Sequence, residues 1–388
     1  MMKQARRLQD NPPFPFAGWG KHVAAAFRQG LDVIRLDIGN PDLPPPDEVI
    51  EALCHSARQP EHHGYPGYRG IRTLREAVAA YYQRRFGVTL DPDREIIPLI
   101  GSKEGIANLA LACLDAGDLV LVPDPGYAAY TLGANLAGAT VHTMSLRAEN
   151  NFLPDLIVPP DVAERAVLMW LNYPNNPTGA TADLGFFARA VDFARRHGLL
   201  LCHDAPYCDV TYDGYAAPSV LQVSGASEVA IEFNSLSKTW NMAGWRIGIA
   251  VGNAEALRAL AQLKSNVDSG IFRPVQEAAA RALSVDPGWV AARNAIYRER
   301  MDIVLDGLDA MGIVHHRPRA TLYVWAQTPP GWASEPFARA VLEQAGIALA
   351  PGSFFGPAGE GFVRLSVTAP TPRIREAMAR LGQCVPAL

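Results

Sequence analysis

Apolar positions fall into two patterns that alternate along most of this chain. Short runs with little polar interruption, bounded by turn residues, recur at IIPLIG (96–101), LVLVPD (119–124), TVHTMSL (140–146), AVLMWLNYP (166–174), LLLCHDAP (199–206), VAIEFNS (229–235) and RIGIAVG (246–252). Their length marks them as strands, and the lack of a polar face marks strands covered on both sides. Between most of them, apolar residues recur at helical spacing. GIANLALACLDAG (105–117) is one such stretch. ADLGFFARAVDFARRHG (182–198) is another, with Phe186, Phe187, Ala190, Val191, Phe193 and Ala194 on one face and Arg-Arg-His-Gly as its stop. Strands alternating with helices imply right-handed βαβ crossovers. The expected fold class is α/β, a large domain with a mainly parallel sheet sandwiched by helices, plus a smaller α+β domain.

The pattern changes near residue 285. Asp286-Pro287 opens a long helix with Ile296, Tyr297, Met301, Val304, Leu305, Leu308 and Met311 as its stripe and Gly312 as its end. IVHHRPRATLYVWAQ, a helix near 335–345, GIALAPG, a strand FVRLSV and a last helix from about 371 follow. The first 45 residues read as irregular and proline-rich. Nothing in them forms a core alone, so they are expected to pack on the C-terminal part. The expected division is a large domain over 46–285 and a small one made of 1–45 and 286–388.

Composition narrows the class. At 388 residues the chain exceeds one small core, and 49% hydrophobic with 19% charged residues is ordinary for a soluble globular protein. A net charge of −4 gives no footprint for nucleic acid or an anionic membrane. No apolar run approaches the roughly 18 residues of a membrane-spanning helix, and MMKQARRLQDNPPFPF lacks the apolar stretch of a secretory signal. Five scattered cysteines without a CxxC read as reduced thiols in a cytoplasmic protein. No HExxH or CxxC points to a metal, the histidine pairs 62–63 and 315–316 lack partner ligands, and no GxGxxG follows a strand.

Candidate chemistry sits at the strand ends, where open parallel sheets bind ligands. After IIPLI comes Gly-Ser-Lys-Glu-Gly (101–105), opening a helix. Its free N–H groups and the Ser102 hydroxyl suit a phosphate; a plain glycine turn reads the same way. After LVLVPD comes Tyr127, either a packing aromatic or a ring platform. After AVLMWL comes Asn-Tyr-Pro-Asn-Asn-Pro-Thr-Gly (172–179), where Asn176 either makes an Asx turn or faces a ligand. Asp204 ends an otherwise apolar strand and needs a partner, with Tyr207 three residues on. After VAIEF come Ser235, Ser237 and Lys238, with Arg246 eight residues further. Each has an ordinary structural explanation alone. Together they suit a flat, phosphorylated, nitrogen-containing ring held covalently.

The motifs GSKEG, DPGY, YPNNPTG, HDAPY, SLSKTWNMAGWRIG and VRLSV occur in order between IGNPDLPPP (38–46) and FVRLSV (362–367). In these the chain resembles the class I/II aminotransferases, pyridoxal 5'-phosphate (PLP) enzymes of fold type I. GSKEGI, SKTWNMAGWRIG and KSNVDSGIF (264–272) make it most similar to the LL-diaminopimelate aminotransferase group.

The resemblance implies roles. Lys238 would form the Schiff base with PLP and move the proton between substrate Cα and cofactor. Asp204 would pair with the pyridine nitrogen, Tyr207 and Asn176 with the phenolate oxygen, and Tyr127 would stack on the ring. Ser102, the Lys103 backbone, Ser235, Ser237 and Arg246 would hold the phosphate. Tyr65 matches the family tyrosine that reaches the phosphate of a neighbouring subunit, so a homodimer with shared sites is implied.

Arg364 would grip the substrate carboxylate as a fork, met by Gly39 and Asn176. An arginine isolated in an apolar strand supports that role. Asn241 and Asn266 are further candidates. The reaction implied is ping-pong transfer between an amino acid and a 2-oxo acid, with glutamate and 2-oxoglutarate as one pair. A β-eliminating C–S lyase on the same fold is the alternative. The group's tyrosine loop usually reads YxxYEG; here it reads Tyr68-Arg69-Gly70, and an arginine facing the site would favour a carboxylate over an ammonium.

Overall fold

All seven apolar runs become strands of one sheet. The computed structural model describes residues 13–385 together with 3, 5–9 and 11. The outermost positions of the expected small domain (1, 2, 4, 10, 12 and 386–388) lie outside the described residues. In chain order, β1 (Ile34–Arg35) stands apart from the large sheet. That sheet holds β2 (Ile96–Leu99), β3 (Leu119–Asp124), β4 (Thr140–Ser145), β5 (Ala166–Asn172), β6 (Leu200–Asp204), β7 (Ala230–Ser235) and β8 (Gly248–Gly252) in the order β2-β8-β7-β6-β5-β3-β4.

Side chains alternate across this sheet as its pleat requires. Leu168 and Trp170 pack to one side with helices Ser102–Cys113 and Ala254–Val267. Met169 and Leu171 pack to the other with helices Arg72–Phe86 and Leu184–His197. The last of these carries the expected face, with Phe186, Phe187, Ala190, Val191, Phe193 and Ala194 all buried. Asp183 caps it by accepting from the Phe186 N–H at 2.7 Å, and Gly198 closes it in the left-handed region. The helix expected over 105–117 instead runs Ser102–Cys113, because Leu114 is already extended.

The crossover pattern has one exception. β8 runs antiparallel to both β7 and β2. The chain after β7 makes one helical turn, Leu236–Thr239, and a 3₁₀ turn, Ala243–Trp245. It never travels back along the sheet, so the next strand has to return in the opposite direction. Ser235 and Leu99 both register with Gly248. The start of β8 therefore lies level with the ends of β7 and β2.

The C-terminal strands are β9 (Tyr323–Gln327), β10 (Ile347–Ala348), β11 (Ala350–Pro351) and β12 (Phe362–Ser366); β11, β12 and β9 form an antiparallel sheet, and β10 pairs with β1. The long helix is Pro287–Ala310, capped by Asp286. Tyr297, Met301, Val304, Leu305 and Leu308 of its expected stripe are buried, whereas Met311 is half-buried and Ile296 is exposed. The N-terminal region corrects the expectation of irregular chain. Pro15–Arg28 is a helix of 14 residues whose buried Trp19, Val23 and Ala26 join Tyr297, Met301 and Leu305 in one apolar cluster. Pro15 opens that helix, where its fixed φ fits and its missing N–H costs nothing. No helix among the described residues is long and apolar enough to cross a membrane.

Candidate active site

The ends of β2, β5, β6 and β7 and the start of β8 open onto one cleft of about 340 Å³. Ser102, Lys103, Tyr127, Asn176, Asp204, Tyr207, Ser235, Ser237, Lys238 and Arg246 all line it from the large sheet, and Gly39 and Arg364 line it from the opposite side. Tyr65 does not; it lies 90% exposed on the surface. Asn241 donates to the Pro44 carbonyl and Asn266 to that of Gln262, away from the cleft. Arg69 donates to the Asp93 carbonyl, in the exposed loop after helix Arg72–Phe86, and does not line the cleft.

One end of the cleft is built for an anion. Gly101 turns the chain at φ 76°, and a Cβ there would meet the Arg246 guanidinium. Gly248 is also confined, because a Cβ on it would come within 2.7 Å of the Ser102 N–H nitrogen. Arg246 itself is left-handed, at φ 56°. The Ser235 hydroxyl accepts from the Ser237 N–H at 3.2 Å. The Lys103 ammonium lies 3.9 Å from the Phe14 ring centre, and partial desolvation followed by the nearby Arg246 charge lowers its pKa. Lys103 and Arg246 form no ion pair with a carboxylate among the described residues, so this end of the cleft carries a positive field that suits an anion.

At the cleft's centre, Asp204 accepts from the Tyr130 hydroxyl at 2.7 Å through one oxygen, while Oδ1 is buried without a protein partner. Burial pushes its pKa up to about 6, against the lowering effects of Tyr130 and the adjacent His203. A carboxylate half satisfied in this way suits a ring N–H, so the residues fit the pyridine of PLP. His203, Tyr82 and Ser219 converge on Glu232, and all four are buried.

Lys238 donates to the Gly39 carbonyl at 2.5 Å. Burial, then Arg364 and Arg246, lower its pKa against the opposing effect of Tyr323. The Tyr207 hydroxyl lies 2.9 Å from that of Tyr323.

The turn after β5 divides its duties. Asn175 makes the local turn, accepting from the Thr178 N–H at 3.0 Å and its hydroxyl at 2.7 Å. Asn176 is left free to accept from Arg364 Nη1 at 2.6 Å. Arg364 Nη2 donates to the Asp37 carbonyl at 2.7 Å, and its guanidinium lies 4.0 Å from the Tyr323 ring centre. The arginine is 4% exposed and its Nε has no protein partner.

Sequence reasoning missed Phe14, Phe16, Arg35, Asp37, Asn172 and Tyr323 of this lining. Asn172 was open to it, because the residue ending an apolar strand is the same signal that marked Asp204. The others lie on segments whose approach to the sheet no local pattern encodes.

A profile of the family described as "Aminotransferase class I and II" matches residues 31–381. The chain belongs to that family. Among curated aminotransferases, it is 51% identical over 381 residues to the LL-diaminopimelate aminotransferase of Moorella thermoacetica and 52% over 383 residues to that of Desulforudis audaxviator, each covering 98% of both chains. Among solved aminotransferase-like structures, substrate-bound BacF from Bacillus subtilis superposes with a TM-score of 0.96 at 37% identity, over 99% of this chain and 98% of that one. The aspartate aminotransferase from Thermus thermophilus with maleate superposes at 0.92 with 31% identity, over 99% and 100%. This chain is therefore an aminotransferase of fold type I, and the family it joins is PLP-dependent.

Proposed function

We propose that this aminotransferase binds PLP in the cleft and moves the amino group of LL-diaminopimelate, or a close relative, to 2-oxoglutarate. The observation that carries this is convergence: an anion end, an amine, a half-satisfied carboxylate and a buried guanidinium meet in one cleft. The relatives at about half identity bear the diaminopimelate name, which supports the donor.

When bound, PLP supplies an electron sink for the carbanion formed at the substrate Cα. The chain's residues do the rest. Ser102, the Lys103 N–H, Ser235, Ser237 and Arg246 would hold the phosphate. Asp204, through its unpartnered Oδ1, would pair with the ring nitrogen and keep it protonated, Tyr127 would cover a ring face, and Tyr207 and Asn176 would donate to the ring oxygen. Lys238 would hold the cofactor's aldehyde carbon, and its amine would take the proton from substrate Cα and return it; its lowered pKa favours the free amine that this needs. Arg364 and the Gly39 backbone hold the α-carboxylate, with Asn176 fixing the arginine.

We infer further that residues 1–45 and 286–388 act as the small domain that closes over 46–285. A homodimer would bring Tyr65 to the partner's phosphate, in line with its exposure here. Five free thiols fit a reducing cytoplasm.

The test is a panel of diaminopimelate, glutamate, aspartate, alanine and aromatic donors, scored by kcat/KM with 2-oxoglutarate. Diaminopimelate should lead, with glutamate as product. Lys238→Ala should remove the loaded protein's visible absorption in its native form and cut turnover by at least ~10³-fold. Pyruvate and ammonia released from cystathionine without an acceptor would instead establish the lyase.

A further inference from the structure

Tyr323 was not among the residues the motifs singled out, yet it touches three that were. Its hydroxyl meets that of Tyr207, its ring lies under the Arg364 guanidinium, and it packs against Gly39 so closely that a Cβ there would overlap the hydroxyl. Both tyrosines are nearly buried, at 3% and 4% exposure. Among the described residues, no other protein group hydrogen-bonds either hydroxyl.

The pair has two proton arrangements. Each hydroxyl has one proton, so either Tyr207 donates to Tyr323 or the reverse. If Tyr207 donates inward, it presents only lone pairs to the cleft and repels an anionic oxygen. If Tyr323 donates, the Tyr207 proton is free to point into the cleft, and accepting a bond strengthens the one it gives. The surroundings choose between them. Burial raises both phenols; at Tyr323, the charges of Arg364 and Lys238 and the Tyr207 hydroxyl act against it and lower the pKa, whereas Tyr207 stays raised. The Arg364 guanidinium lies 4.0 Å from the Tyr323 ring centre, and no such cation faces the Tyr207 ring among the described residues; a cation drawing charge from its ring makes Tyr323 the stronger donor of the two.

We propose that Tyr323 is a positioning residue: its hydroxyl donates to Tyr207 and so directs the Tyr207 proton at the cofactor's ring oxygen, while its ring supports the Arg364 guanidinium that grips the substrate carboxylate. The inference rests on the reading of Tyr207 as a donor to that oxygen. Tyr323 begins β9 and Tyr207 follows β6, so the hydroxyl pair also joins the two sides of the cleft.

The experiment uses PLP-loaded protein without substrate and reads the pH midpoint of its visible absorption for the native protein, Tyr207→Phe, Tyr323→Phe and the double variant. A lost donor to the ring oxygen should raise the midpoint. Tyr207→Phe is expected to move it by about one unit. Tyr323→Phe should move it the same way by about half as much, and the double variant should match Tyr207→Phe, since a shared interaction is not additive. Tyr323→Phe keeps the ring, so kcat should fall about tenfold with donor KM unchanged, whereas Tyr323→Leu should also raise KM about tenfold. An unmoved midpoint in Tyr323→Phe beside a moved one in Tyr207→Phe overturns the inference and leaves the Tyr207 reading intact. Additive shifts overturn it as well, and an unchanged KM in Tyr323→Leu removes the arginine half. If Tyr207→Phe does not move the midpoint, both readings fall together.

Discussion

The two walls of the cleft are made differently. The sheet wall is built from residues within four positions of a strand terminus, several fixed by their own turns: Asn176 by Asn172 at 2.8 Å, Ser237 by Ser235 at 3.2 Å, Arg246 by Ala243 at 2.7 Å. The opposite wall is held by bonds between distant parts of the chain. Arg364 reaches Asp37 and Asn176, Tyr323 reaches Tyr207, and Gly39 reaches Lys238. A wall assembled locally is in place before a ligand arrives; one tied across the cleft depends on both sides staying together. The sheet wall should therefore govern cofactor binding, and the opposite wall the grip on substrate.

The largest effect that would break this division is expected from Arg364→Ala. Loss of a buried, charge-assisted fork should lower kcat/KM by about 10²–10³-fold for every donor, with PLP affinity within about threefold of native. A large loss of PLP would show that the far wall also holds the cofactor.

Asp204→Asn should give the opposite result, with PLP affinity falling by about 30–100-fold as a charge-assisted bond is removed. The same change should stabilise the cofactor-free protein. With the folded pKa raised from 3.8 to about 6, burial disfavours the ionised form. Well below pH ~4 the carboxyl is protonated in folded and unfolded chains alike and contributes nothing; the penalty grows as pH rises through that value and is complete above about 6, at most ~3 kcal/mol. Urea denaturation of the apo-protein at about pH 4 and pH 7.5 should show most of the variant's advantage at the higher pH.

Gly39→Ala should have the smallest effect. Its Cβ would push Tyr323 and the carbonyl that receives Lys238, so about a tenfold loss of kcat/KM with unchanged PLP affinity is expected. Equal PLP affinity across the first and third variants would sharpen the division; parallel losses would remove it.

The two walls were also unequally legible. Seven apolar runs announced the sheet, and a polar residue ending such a run is conspicuous, which is why Ser102, Tyr127, Asp204 and Lys238 were found from residue type and position. The fold-back before β8 was not, because a strand's direction depends on where the preceding turn leaves the chain, and RIGIAVG reads alike either way. Asp37 and Tyr323 gave no signal for a similar reason. Each looks like an ordinary residue on a short strand or loop, and its role comes from a partner more than a hundred positions away. Arg364 was the exception, since a lone charge in FVRLSV is anomalous without a partner.

The reversed strand also bears on assembly. β8 lies between β2 and β7, so Ser102 and Ser235 become neighbours only after Gly248 has paired with both Leu99 and Ser235. A chain stalled before that insertion has the lysine but not the anion end. A ligand that requires both binds the finished fold alone, and at 100 times its Kd it would add ~2.7 kcal/mol to that state over every incomplete one. Cofactor supply during synthesis would then act as a quality check on the pairing of β8, the last of the large sheet's strands in chain order.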